Sequence, residues 1–149
     1  MAEVLLEKVS KSFGKKHALR DVDLHIRDGE YLVVLGPSGA GKTTLLRTIA
    51  GLLDPDAGRI LLDGRDVTRL PVDARGAAFM PQTYSLFPRL TVWDNTAFSP
   101  TVKGWPEADR DLLAREMLSM VHLIERTAAY PNELSGGMQQ RCALARALA

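Results

Sequence analysis

At 149 residues, 46% of them hydrophobic and 25% charged, the chain has enough apolar content to pack a core, which excludes a disordered segment. Its net charge of +1 offers no overall basic surface for nucleic acid or an anionic membrane, and no apolar run approaches the ~20 residues of a membrane span. The single cysteine, Cys142, forbids an internal disulfide, fits a cytosolic compartment and reads as a small packing residue on a helix.

Along the chain, residues 4–12 and 18–26 alternate apolar and polar positions, as half-buried strands do. Gly14-Lys15-Lys16 separates them, and Asp28-Gly29 makes the next turn. Residues 31–35, Tyr-Leu-Val-Val-Leu, are wholly apolar, which predicts a parallel strand buried on both faces. A helix is expected over residues 43–50, closed by Gly51, and a strand over 58–62 that turns at Asp63-Gly64. Residues 77–80 read as another buried strand, ending at Pro81-Gln82. From 107 to 124 the apolar residues Leu112, Leu113, Met117, Met120, Val121 and Ile124 recur at helical spacing, predicting an amphipathic helix packed in the core, with Pro131 breaking the pattern beyond it. His17, His25 and His122 are too scattered for a metal site and read as solvated or locally hydrogen-bonded.

Two motifs carry chemistry. Between the predicted strand 31–35 and helix 43–50 stand Gly36, Pro37, Ser38, Gly39, Ala40, Gly41, Lys42 and Thr43. Glycines at three of the first six positions let the backbone turn tightly and bring N–H groups close to an anion. Lys42 supplies a mobile positive charge for the outer phosphates, the Thr43 hydroxyl suits Mg²⁺, and the helix N-terminus adds its own partial positive charge. Near the end comes Leu134-Ser135-Gly136-Gly137-Met138-Gln139-Gln140-Arg141. Ser135 suits a helix N-cap, but a plain cap needs no adjacent glycines, which weaken a helix. Gly136 and Gly137 therefore point to a second anion held at the start of a helix over 137–149.

With these motifs, Phe13 and Gln82, the chain resembles the ATP-binding-cassette (ABC) ATPases, nucleotide-binding subunits of membrane transporters, over about residues 4–149. The resemblance implies an α/β fold: a phosphate-loop NTPase core with an N-terminal antiparallel β subdomain and an inserted α-helical subdomain, truncated before the strand that carries the Mg²⁺-binding Asp. Residues 1–85 would form the β subdomain and core, 86–133 the helical subdomain, and 134–149 the signature motif and its helix. It implies ATP and Mg²⁺ as ligands, with the phosphates bound by Gly36–Thr44 (Thr44 included) and the adenine stacked on Phe13. Gln82 would reach Mg²⁺ and the attacking water, making it the catalytic residue of this segment, with Thr43 as the other metal contact. Ser135, Gly136 and Gly137 would cap the ATP of a head-to-tail partner, either a second copy or a paired ABC subunit. The fifth signature position, most often Gln in the family, is Met138 here.

The run 85–95 resembles import-type members, which implies transmembrane permease subunits, an extracytoplasmic solute-binding protein and a peripheral place on the cytoplasmic face of the membrane, with no nucleic acid bound. The general base and switch His of the family have no counterpart among these residues, so 1–149 alone is expected not to turn ATP over. The last helix lacks a stop signal, which reads as the N-terminal part of a longer protein. An unfinished sheet further predicts poor solubility. The alternatives are a soluble, non-transport ABC-class ATPase and a non-catalytic nucleotide-binding fragment.

Overall fold

A computed structural model describes residues 3–149, and the chain divides into two compact units, Met1–Phe79 and Met80–Ala149. The first holds strands β1 (Val4–Phe13), β2 (Lys16–Ile26), β3 (Ala57–Leu62) and β4 (Arg65–Asp66), with helices α1 (Lys42–Ile49) and α2 (Val72–Arg75). The strands form one antiparallel sheet in the order β2-β1-β3-β4. Both hairpins follow the local signals. Gly14 takes φ 58° in the two-residue turn after Phe13, and Asp63 and Gly64 take φ 49° and 74° between β3 and β4.

The core of this unit is Leu6, Val9, Leu19, Leu45, Ile60 and Val67. Leu6 and Val9 lie three apart, so simple alternation would put them on opposite faces. An extra residue in β1, Lys8 at φ 50°, resets the parity. A second bulge at Asp21, φ 44°, does the same in β2, with the Asp21 N–H donating to Ser10 Oγ at 2.8 Å. Opposite the β1 bulge, a β-carbon on Gly58 (φ 90°) would meet Lys8 O at 2.4 Å and Glu7 O at 2.5 Å. Leu45 pins α1 to the same cluster, so the sheet core also anchors the phosphate-loop helix. The far end of α1 is held by a buried cation. Arg75 donates to Thr48 O, Ile49 O, Thr68 O and Leu70 O at 2.8–3.0 Å, and it fills the space that a Gly51 side chain would need.

Two expected strands are not there. Residues 31–35 and 77–80 have no regular structure, and Tyr31 and Leu35 are 89% and 86% exposed. A wholly apolar strand needs ladder partners on its flanks and cover on both faces. No segment among the described residues pairs with either run.

The second unit is helical: α3 (Val92–Thr96), α4 (Phe98–Val102), α5 (Glu107–Met120) and α6 (Gly136–Leu148), with 3₁₀ turns at Ile124–Arg126 and Pro131–Glu133. A reciprocal capping box between Thr91 and Asp94 starts α3. The core is Val92, Met117, Leu118, Val121, Leu123, Leu134, Cys142 and Ala145. Burial pushes the Cys142 thiol up to about 11, so it is an inert packing group. Asn95, fully buried, accepts from Phe87 N–H and donates to the carbonyls of Phe87, Leu90 and Thr91, fixing the loop before α3. Two polar side chains of α6 staple other loops: Gln139 Nε2 donates to Pro131 O, and Arg141 Nη1 to Val121 O, both at 2.8 Å.

The α5 stripe is narrower and shorter than its periodicity predicts. Met117, Leu118 and Val121 face the core, whereas Leu112 and Met120 are 67% and 59% exposed, because neighbours 100° apart cannot all face one seam. The helix stops at Met120 instead of running to 124. His122 at φ 55° closes it, with Leu123 N–H donating to Leu118 O and His122 N–H to Ser119 O, while Leu118 and Leu123 are both buried in the core. His122→Gly is expected to raise stability by about 1 kcal/mol, since glycine occupies this conformation without the β-carbon penalty. Paired urea melts would measure it, and a loss of stability would contradict it.

Candidate functional site

The phosphate-loop sequence folds into a bare helix start. Gly36, Gly39 and Gly41 have φ 155°, 80° and 94°, and Ala40 N–H donates to Pro37 O at 3.2 Å. Gly41 is the N-cap of α1, its carbonyl accepting from Leu45 N–H at 2.8 Å. No side chain caps this end and no acid lies in the first turn, so the first N–H groups of α1 remain available to an anion. Gly41 has a second reason to be glycine: a β-carbon there would sit 2.3 Å from Ala18 O on β2. The loop can therefore lie directly on the strand edge. Lys42 spans the loop, Nζ donating to Gly36 O at 2.7 Å and to Pro37 O at 2.8 Å.

Around it lies a cleft of about 220 Å³ lined by Phe13, Lys16, Ala18, Gly39, Gly41, Lys42, Thr43 and Thr44. The structure thus brings Phe13, from the end of β1, to the rim of the phosphate loop. Phe13 is 52% exposed, which is unlike a core phenylalanine. Behind it, Lys11 Nζ lies 5.9 Å from the ring centroid and 2.8 Å from Asp56 Oδ1. That hydrogen bond, with a second from Ser12 N–H, holds the Asp56 carboxyl below its ordinary range. Lys16 was missed by sequence reasoning, which took it only as part of a turn. Its place at the start of β2, three residues after Phe13, is the signal that could have found it. At about 220 Å³ the cleft is smaller than the ~300–1,000 Å³ usual for ligand pockets, and it is open on one side.

Gln82 and Ser135–Gly137 belong to the other unit. Gln82 is exposed in a turn in which Tyr84 N–H donates to Pro81 O at 3.0 Å. Ser135 is the N-cap of α6, its Oγ accepting from Met138 N–H at 3.4 Å. Gly136 and Gly137 have ordinary helical backbone, and a β-carbon on either would meet nothing within 4 Å. Gly41 and Gly58 are demanded by the chain's own packing, but these two are not. Glycine at either place weakens the helix relative to alanine with no internal return.

Two exposed side chains, one in each unit, carry an oxygen of the kind a hard cation accepts when it arrives with a phosphate. Thr43 offers an exposed hydroxyl at the cleft and Gln82 an exposed amide oxygen, both neutral oxygens. Among the described residues no group of three or more His, Cys, Asp or Glu could hold an ion unaided. Neither oxygen carries charge, so a hard cation on either one would take phosphate oxygens as its principal ligands.

A family model described as ABC transporter matches residues 19–149. The chain is 48% identical to the molybdate/tungstate import ATP-binding protein WtpC of Thermococcus kodakarensis, over 98% of this chain and 44% of that protein. It is 46% identical to the spermidine/putrescine import ATP-binding protein PotA of Protochlamydia amoebophila, over 97% of this chain and 39% of that one. The chain thus spans less than half the length of these relatives. Among solved structures, a dimeric post-hydrolysis state of the ATP-binding cassette MJ0796 bound to ADP and Pi superposes with a TM-score of 0.84 at 37% identity, covering 98% of this chain and 69% of that one.

Proposed function

Because this chain belongs to the ABC transporter family, we propose that it grips ATP for an importer's ATP-binding subunit and that a facing subunit completes its nucleotide site. The observation that carries this reading is the uncapped start of α1, set beside Phe13, Lys16 and Lys42 in one open cleft. The first-turn N–H groups of α1 hold the phosphate tail, and Lys42 exchanges its two loop carbonyls for outer phosphate oxygens. Phe13 offers its exposed face to the adenine. Thr43 and Gln82 would hold Mg²⁺, which supplies charge neutralisation across the phosphates when bound. Gln82 orients the attacking water.

The open side of the cleft is covered by Ser135–Gly137 of a facing subunit, either a second copy or a paired cassette. This accounts for two glycines that nothing inside the chain requires. The shared phosphate then joins two positively polarised helix starts, and its loss on hydrolysis releases them. Residues 86–133 act as the helical subdomain that passes this motion to transmembrane permease subunits. No helix among the described residues is long and apolar enough to cross a membrane. In this reading, attachment to the cytoplasmic face runs through those partners. A solute-binding protein on the other side delivers the cargo. The relatives divide between oxyanions and polyamines, as expected of a subunit that contacts the permease instead of the solute.

Titration of the chain with a fluorescent ATP analogue and Mg²⁺ tests the reading. Lys42→Ala is expected to weaken binding about 10–100-fold by removing charge-assisted contacts to the phosphates. Equal affinity in the two proteins would refute it. No residue lining the cleft is a carboxylate, so residues 1–149 alone are expected to bind without turnover. Mg²⁺-dependent phosphate release that Lys42→Ala abolishes would contradict that second point.

A further inference from the structure

The turn that carries Gln82 has a backbone unusual for its residue types. Tyr84 N–H donates to Pro81 O, and Ser85 N–H donates to Thr83 O at 2.6 Å, closing a second, three-residue turn over Tyr84. Tyr84 and Ser85 have φ 61° and 49°. Residues with a β-carbon enter the left-handed region as isolated exceptions, so two in succession need support from outside the loop.

One side chain supplies that support. Arg146, in the last turn of α6, donates from Nη1 to Ser85 O at 2.7 Å and from Nη2 to Tyr84 O at 3.1 Å. Its guanidinium also lies 5.2 Å from the centroid of the Phe87 ring. Only a planar fork reaches two successive carbonyls while stacking on a ring; a lysine ammonium makes a point contact. The same helix begins at Ser135–Gly137, so ~14 Å of continuous helix, at 1.5 Å per residue, joins that start to the Arg146 clamp. Such a rod does not compress, and a displacement of one end is carried to the other.

We infer that Arg146 is a positioning residue, which holds Tyr84 and Ser85 in their left-handed turn, thereby aims Gln82, and couples that aim to a phosphate seated at the start of α6. The inference rests on the roles given above to Gln82 and Ser135–Gly137. Nothing in the phosphate cleft of the Met1–Phe79 unit contributes to this clamp.

Hydrogen exchange of the 82–87 peptide, read beside the thermal melt, tests the clamp in the chain itself. Arg146→Gln is expected to speed exchange at Tyr84 and Ser85 about tenfold, and Arg146→Lys to recover part of the protection. Should Arg146→Gln lower the melt as well, Phe87→Leu, which removes the ring under the guanidinium and its 4.3 Å contact with Phe98, is expected to give a smaller rise in exchange at Tyr84 and Ser85, and Phe98→Leu, which removes only the second contact, is expected to give none. Unaltered exchange in both Arg146 variants overturns the inference, whatever nucleotide does.

In the hydrolysing protein assembled with its permease partners, Arg146→Lys is expected to lower kcat about tenfold and leave KM within twofold. A change confined to KM also overturns the inference. Failure of the functional reading is seen separately, as ATP binding that ignores Lys42→Ala.

Discussion

Gly41→Ala is expected to weaken ATP binding more than about a hundredfold, close to 2.7 kcal/mol or beyond. Two effects add at this residue. Its φ of 94° lies in the region where a β-carbon costs about 1–2 kcal/mol. The new carbon would also stand 2.3 Å from Ala18 O, a backbone atom of β2 that the sheet holds in place. The loop must then lift away from the strand, and the first N–H groups of α1 no longer face the cleft that Phe13 and Lys16 share with them. Gly104→Ala is the control, with φ 72° and nothing within 4 Å of the added carbon. It bears the conformational cost alone and should leave affinity unchanged. A Gly41→Ala chain that binds within threefold of the parent would show that the loop does not need its seat on β2.

Gly58→Ala is expected to cost about 3–4 kcal/mol in urea unfolding of the first unit, a large share of the ~5–15 kcal/mol that a domain typically has. Here the obstacles are two carbonyls of β1, Lys8 O at 2.4 Å and Glu7 O at 2.5 Å, with φ at 90° besides. Relief requires β1 and β3 to separate or the bulge at Lys8 to slip. Slippage by one residue would move Leu6 or Val9 off the core face, and each is fully buried. Gly64→Ala, in open space at φ 74°, should lose only about 1 kcal/mol. A loss below 1 kcal/mol at Gly58 would mean that the bulge adapts.

The contrast among the glycines bears on function. Gly41, Gly51 and Gly58 each fill a place where the chain's own atoms leave no room, whereas Gly136 and Gly137 stand in open space on a helix they weaken. A feature that costs stability without an internal reason calls for an external one, and the phosphate proposed to approach the start of α6 would supply it.

What residues alone determined lies within a few positions along the chain. The phosphate loop, the Asp63-Gly64 hairpin, the Ser135 cap and the glycine stop at Gly51 are all legible because each is set by φ preferences and by bonds between near neighbours. Only tertiary structure decided the bulges at Lys8 and Asp21, the buried fork of Arg75, the seating of the Phe13–Lys16 hairpin end beside α1, and the hold of Arg146 on Tyr84 and Ser85. It also denied strand structure to 31–35 and 77–80, whose composition favours it. The division has one physical cause: a turn or cap is completed by atoms a few bonds away, but a strand, a bulge or a clamp depends on backbone groups from distant segments.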